Sequence, residues 1–250
     1  MIKFYTILPE NDDLRGARQA TKISILLQEI GETFETIDMD RRREVRPRGS
    51  DYRKNLNPNG RVPAIDDDGF VLWEVGAILN YIVASRPQAR ALKPTGERQA
   101  ARCDQWLYWE GTTITPDLIA YLTLLVSRDA SFVASDLEGM VLAAGGAPFL
   151  LVGASKENDE AALIQAREML NFDIDLIDQT LGGNEFILQD FSIADIALGV
   201  VIAIALMGDI ELRRYRNVSR WLLGLAERPS FRNTSSFMDH IETGQRNGLL

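Results

Sequence analysis

Apolar positions along the chain keep two different periods, and the change between them divides it. IKFYTIL (Ile2–Leu8) is dense in β-branched and aromatic residues and predicts a strand. Ile23, Leu26, Leu27 and Ile30 recur at helical spacing, with Gly31 as a stop signal. FETIDMD (Phe34–Asp40) alternates as a second strand. An arginine-rich loop follows, then VPAI (Val62–Ile65) and FVLWE (Phe70–Glu74) on either side of a DDDG turn, which predicts a hairpin. Ala77, Ile78, Tyr81 and Ile82 trace a short helix. The order β-α-β, linking segment, β-β-α implies a parallel pair with a right-handed crossover and an antiparallel edge.

Past residue 85 the strand period disappears. SRPQARALKPTGER has two prolines and no apolar period, so residues 86–98 read as a linker. One long helix is expected around Ala101–Tyr121, bent at Pro116. Another is expected from about Glu157 to Leu181, a third in SIADIALGVVIAIAL, and RNVSRWLLGLAERP closes the set. Ser192 and Asp195 have the spacing of a capping box, with an acid in place of the usual Glu or Gln. Residues 1–85 therefore form an α/β domain and residues 99–232 an all-helical one, and residues 233–250 read as a loose tail.

Charge and cysteine content narrow the function. The net charge of −9 is the wrong sign for a general phosphate-backbone binder, so no nucleic-acid partner is expected. Residues 1–85 carry only −2 of it and include RRREVRPR (Arg41–Arg48), which suits a small anionic ligand as well as a solvated loop. One cysteine, Cys103, and one histidine, His240, allow no intrachain disulfide and argue against a metal cage. With no signal peptide visible, a cytoplasmic setting is expected. The longest apolar run, Ile196–Gly208, is too short to span a bilayer and is bracketed by Asp195 and Asp209, so no membrane partner is expected.

Pro63 interrupts a predicted strand, although proline has no N–H to give a sheet ladder. The surrounding residues explain it by resemblance. Asn57-Pro58-Asn59-Gly60-Arg61-Val62-Pro63-Ala64-Ile65, then Glu74-Val75-Gly76-Ala77-Ile78, Ser192-Ile-Ala-Asp195, and ERQAARCDQWLYWEG (Glu97–Gly111) together resemble the cytosolic glutathione transferases, the last segment the bacterial nu class. The resemblance implies a thioredoxin-like α/β N-terminal domain followed by an all-α C-terminal domain, in a homodimer. It implies a cis Val62–Pro63 bond that leaves the Val62 backbone free to pair with glutathione as an added strand would. It also implies that the Glu74–Val75 helix start receives the γ-glutamyl carboxylate, with Glu74 accepting from the ammonium and Arg61 facing the glycyl carboxylate. The family usually has serine where this chain has Val75, so one hydroxyl contact is lost.

Activating the thiol is the least legible step. A free thiol has a pKa near 8.5, and lowering it by about two units takes roughly 2.7 kcal/mol of thiolate stabilisation. Nu-class members use Thr and Asn there. Counting from the first strand puts the Asn position on Asn11, and counting back from Lys22 puts it on Gln19. Thr6 and Thr21 are hydroxyl alternatives. Tyr108 and Thr112, four residues apart, are expected to share a face of the acceptor pocket, and the apolar segment Ser131–Lys156 to cap it. The resemblance implies attack of glutathione, as co-substrate, on a small apolar electrophile or a disulfide. Ether cleavage, dehalogenation, isomerisation or a non-catalytic binding role are the alternatives.

Overall fold

Strand β1 (Ile2–Thr6) runs parallel to β2 (Phe34–Asp38), with Ile2 beside Phe34 and Thr6 beside Asp38. This is a computed structural model; it describes residues 1–8, 18–128 and 156–250. Helix α1 (Arg18–Glu29) makes the crossover. Its end is a Schellman motif: Gly31 takes φ +64°, Glu32 N–H donates to Leu27 C=O at 2.9 Å, and Gly31 N–H donates to Gln28 C=O at 3.1 Å. The hairpin β3 (Ala64–Asp67) and β4 (Phe70–Trp73) turns through Asp68 and Gly69, both at positive φ as a type I′ turn requires. Among the described residues the sheet order is β2-β1-β3-β4, with β3 antiparallel to β1. Helix α3 (Val75–Ser85) packs on the same face as α1, burying Ile78, Leu79 and Ile82 with Ile23, Leu26 and Leu27.

The arginine-rich stretch is not the loop expected from its composition. It contains a π-helical turn, Arg41–Val45, and a short helix, α2 (Asp51–Asn55). Each is started by a local cap: Asp40 Oδ1 accepts from Arg42 and Arg43 N–H at 2.8 and 2.9 Å, and Ser50 Oγ accepts from Arg53 N–H at 3.2 Å. Only Val45 and Tyr52 are buried in these turns, so no apolar period marks them.

The expected linker holds a 3₁₀ turn, Pro87–Leu92, and leads into α4 (Glu97–Trp109). The long helix expected to bend at Pro116 is interrupted earlier. A π-helical segment, Glu110–Ile114, separates α4 from α5 (Thr115–Arg128), and Thr115 N–H reaches Glu110 C=O five residues back. A proline at 116 has no N–H for the ordinary ladder, so a break just before it costs little. Helix α6 (Lys156–Leu181) follows, then α7 (Ile193–Ala205), buried along its whole length. The capping box at its start is present, and Asp195 also accepts from Ile187 N–H at 2.9 Å and Trp221 Nε1–H at 3.0 Å.

Helices α8 (Arg216–Ala226) and α9 (Pro229–Arg232) precede one further helix, α10 (Ser235–Arg246). The expected loose tail from residue 233 is therefore corrected. Phe237, Ile241 and Gly244 form a narrow buried stripe, and Gly244 lies so close to Leu206 that a Cβ would meet its Cδ2 at 2.7 Å. Ser236 Oγ shares a 2.9 Å hydrogen bond with Thr21 Oγ1, and Leu249 C=O accepts from Arg213 N–H. A three-residue stripe in a polar sequence is too thin a pattern to read in advance.

Candidate functional site

The sheet register gathers the candidate residues at one end. Ala64 pairs with Trp73 and with Tyr5, so one further step sets Pro63 across from Glu74 on one side and from Thr6 on the other. The C-terminal end of β1 and the N-termini of α1 and α3 lie at that same end. Helix N-termini carry unpaired N–H donors and positive dipole ends, so an anion is favoured there.

Val62–Pro63 is cis. The β1–β3 ladder stops at Ala64, and the Val62 N–H and C=O have no hydrogen-bond partner among the described residues. The preceding loop is tightly held. Asn57 Oδ1 accepts from Asn59 N–H at 3.0 Å, Asn57 C=O accepts from Gly60 N–H at 2.9 Å, and Gly60 takes φ +62°. Arg61 C=O accepts from Tyr52 Oη–H at 2.7 Å and from Asn57 Nδ2–H at 2.9 Å. Val62 packs on a small cluster of Ile7, Val45, Tyr52 and Ala64. Sequence reasoning found Asn57 only as part of a motif and missed Tyr52, whose role depends on a fold-level contact between α2 and the loop.

Glu74 has φ +73°, a conformation a non-glycine residue holds only when its surroundings dictate it, at a cost on the order of 1–3 kcal/mol. Its side chain does not cap α3, and the first helical bond runs from Ile78 N–H to Glu74 C=O at 2.9 Å. The N–H groups of Val75 and Gly76 thus have no partner among the described residues. Helix α8 differs: Asp178 Oδ1 accepts from Asn217 and Val218 N–H at 2.8 and 2.9 Å, so its N-terminus is already served by a carboxylate. Arg61 is exposed, and its charge, with those of Arg41 and Arg53, adds to burial in pulling the Arg46 guanidinium below its ordinary pKa. Four arginines therefore lend this end of the sheet a positive field.

Of the two thiolate candidates, Asn11 lies outside the described residues. Gln19 is in the first turn of α1, half-buried, with Oε1 accepting from Lys22 Nζ at 2.7 Å. Its Nε2 has no hydrogen-bond partner among the described residues. Thr6 is buried, and Thr21 Oγ1 shares a hydrogen bond with Ser236 Oγ. Tyr108 is 73% exposed on α4, and Thr112 Oγ1 donates back to Tyr108 C=O at 2.8 Å. The two share an exposed stretch of the α4–π junction, while Trp106 and Trp109 stack edge to face and pack on the core. Residues 131–155 of the expected pocket cap lie outside the described residues. Cys103 is fully buried, and burial pushes its thiol up to about 11.

Residues 13–84 match the family model described as glutathione S-transferase, N-terminal domain. Glutathione S-transferase D6 of Drosophila melanogaster is 25% identical over 167 residues, 66% of this chain and 64% of the relative, so the match spans just under two thirds of that protein. Probable glutathione S-transferase GSTF2 of Oryza sativa subsp. japonica is 26% identical over 221 residues, covering 87% of this chain and 91% of the relative. A glutathione transferase homolog from Lodderomyces elongisporus, solved with two GSH per subunit, superposes with a TM-score of 0.68 at 19% identity over 95% of this chain and 98% of that one, a likeness of fold. Residues 13–84 therefore match a glutathione S-transferase N-terminal domain, and the thioredoxin-like sheet with the helical part that follows it has the fold of the glutathione transferases.

Proposed function

We propose that the chain binds glutathione at this end of the sheet, stabilises its thiolate and directs it at a small electrophile or disulfide. The observation that carries the reading is the unpaired Val62 backbone beside Pro63, facing the uncapped start of α3 at Glu74. The cysteinyl segment of a tripeptide pairs with Val62 as an added strand. Its γ-glutamyl carboxylate meets the Val75 and Gly76 N–H groups, its ammonium meets Glu74, and its glycyl carboxylate meets Arg61. Val75 supplies only its N–H where the family has a serine hydroxyl, which weakens binding without removing the site.

The sulfur then lies toward the first turn of α1. There Gln19 Nε2, an N–H donor with no described partner, is the group this reading assigns to the thiolate. Asn11 is its competitor. Because Cys103 is buried and its thiol is held protonated, a mixed disulfide with the protein is disfavoured, and disulfide reduction would run between glutathione molecules. Tyr108 and Thr112 are assigned to the acceptor side, in a nu-class-like arrangement.

A homodimer in the cytoplasm completes the reading. Met169, Phe172 and Leu176 form an exposed apolar stripe on α6 that suits a second copy. Calorimetry with glutathione tests the site: Glu74→Gln is expected to weaken binding about tenfold, the scale of one lost charge-assisted contact. No heat from wild-type protein at millimolar glutathione overturns the reading. A bound thiol with an unshifted pKa would favour the non-catalytic alternative, for which the missing Val75 hydroxyl speaks.

A further inference from the structure

Lysine is seldom buried, because its ammonium gives up its hydration. Lys22 is nevertheless wholly enclosed, one turn into α1 from Gln19. Its Nζ donates to Gln19 Oε1 and to Glu110 Oε1, each at 2.7 Å. Glu110 is 5% exposed and opens the π-helical segment between α4 and α5, and Thr115 Oγ1 donates to the same carboxylate oxygen at 2.5 Å. Burial pulls the Lys22 pKa down, and Glu110 works against that pull. Packing alone does not call for the pair, since two apolar side chains of similar volume fill such a space without losing hydration. Its consequence lies in what it holds.

An ammonium offers donors only, so the end of the Gln19 amide that faces it is the oxygen. The two N–H groups on Nε2 are then turned away from Lys22. Without that anchor a glutamine in a helical first turn presents either end, and its oxygen repels a thiolate. Resting on the reading of Gln19 given above, we propose that Lys22, held by Glu110 from the helical half, is a positioning residue. It sets the polarity of the Gln19 amide so that N–H groups, not oxygen, meet the sulfur of bound glutathione. Glu110 balances the lysine charge, so the effect is one of orientation. The helical half thereby governs the nucleophile without lending it an atom.

The test uses the full chain, the thiolate absorbance of bound glutathione followed against pH, and calorimetry with S-methylglutathione. Gln19→Leu, Lys22→Met and the double variant Lys22→Met/Glu110→Leu are each expected to raise the bound thiol pKa by about one unit, a tenfold loss of thiolate at neutral pH. Affinity for S-methylglutathione, which has no thiolate, is expected to hold within about twofold. The double variant leaves no charge buried alone, which protects its folding. If it folds and keeps the wild-type thiol pKa while Gln19→Leu raises it, the positioning role is overturned and the reading of Gln19 stands. If Gln19→Leu leaves the thiol unmoved, that reading fails and the positioning role falls with it. Should the Lys22 variants not fold, side-chain amide resonances of labelled wild-type Gln19 decide. A shift with glutathione and none with S-methylglutathione supports the proposal, and no shift with either overturns it.

Discussion

Two buried carboxylates in the helical half are built in opposite ways. Asp195, at the start of α7, accepts from Ile187 N–H, Ser192 N–H, Ser192 Oγ–H and Trp221 Nε1–H, all between 2.9 and 3.0 Å. Asp173, on α6, is 3% exposed with an Oδ2 that has no partner, and the carboxylate of Asp117 on α5 lies against it. Burial raises the pKa of both, but at Asp195 the four donors work against burial. At Asp173, burial and then the neighbouring acid act together and push the carboxyl up to about 7. Burial therefore does not decide whether an acid holds a fold together; the donors around it do. Glu110 is a third case, a buried carboxylate answered by one buried ammonium and a hydroxyl.

Substitutions break this comparison in order of size. Asp195→Ala strands four donors and removes the cap of the central helix, so a loss of about 3–5 kcal/mol is expected in urea unfolding. Glu110→Ala leaves Lys22 buried without its counter-charge and is expected to cost about 2–4 kcal/mol, the lower part of the range reached where the lysine sheds its proton. A loss below about 1 kcal/mol would mean the pair contributes little to cohesion.

Asp173→Asn runs the other way. A carboxyl with its native pKa near 7, above its ordinary value of 3.8, binds an extra proton in the folded state between those two pH values. Stability therefore falls as pH rises through that window and stays low above it. The amide variant is expected to be about 1–2 kcal/mol more stable than wild type at about pH 8, less than the full shift implies, and equal to it at about pH 3. Equal stability at both pH values would remove the contrast with Asp195. The smallest effect is expected at Phe172, exposed beside Asp173. Phe172→Ser should change monomer stability by less than about 0.5 kcal/mol, while sedimentation reports whether the α6 stripe joins two copies.

The same contrast separates what could be read early from what could not. The capping box at Ser192 and Asp195 was visible because both residues lie within one helical turn. The β-α-β and hairpin elements and the Gly31 stop were likewise legible, since each rests on neighbouring residues, whereas the cis Val62–Pro63 bond was implied by the family resemblance. The α10 helix was not legible, because its buried stripe is three residues wide and its partners, Thr21 and Leu206, come from far away in the chain. Of the candidate site, the Val62 backbone and the helix start at Glu74 were named through the family resemblance. Tyr52 on Arg61 C=O was not, for a tyrosine in a polar segment carries no sign of what its hydroxyl meets.

The sequence by itself determined the local geometry: where the chain turns and which residues punctuate it. Those are properties of a few adjacent residues and their dihedral limits. Tertiary structure alone decided which buried charges are answered. Lys22 meets Glu110 across 88 positions, and Asp173 meets Asp117 rather than a base. Electrostatic energy depends on distance and on the exclusion of water, and neither is a property of spacing along the chain.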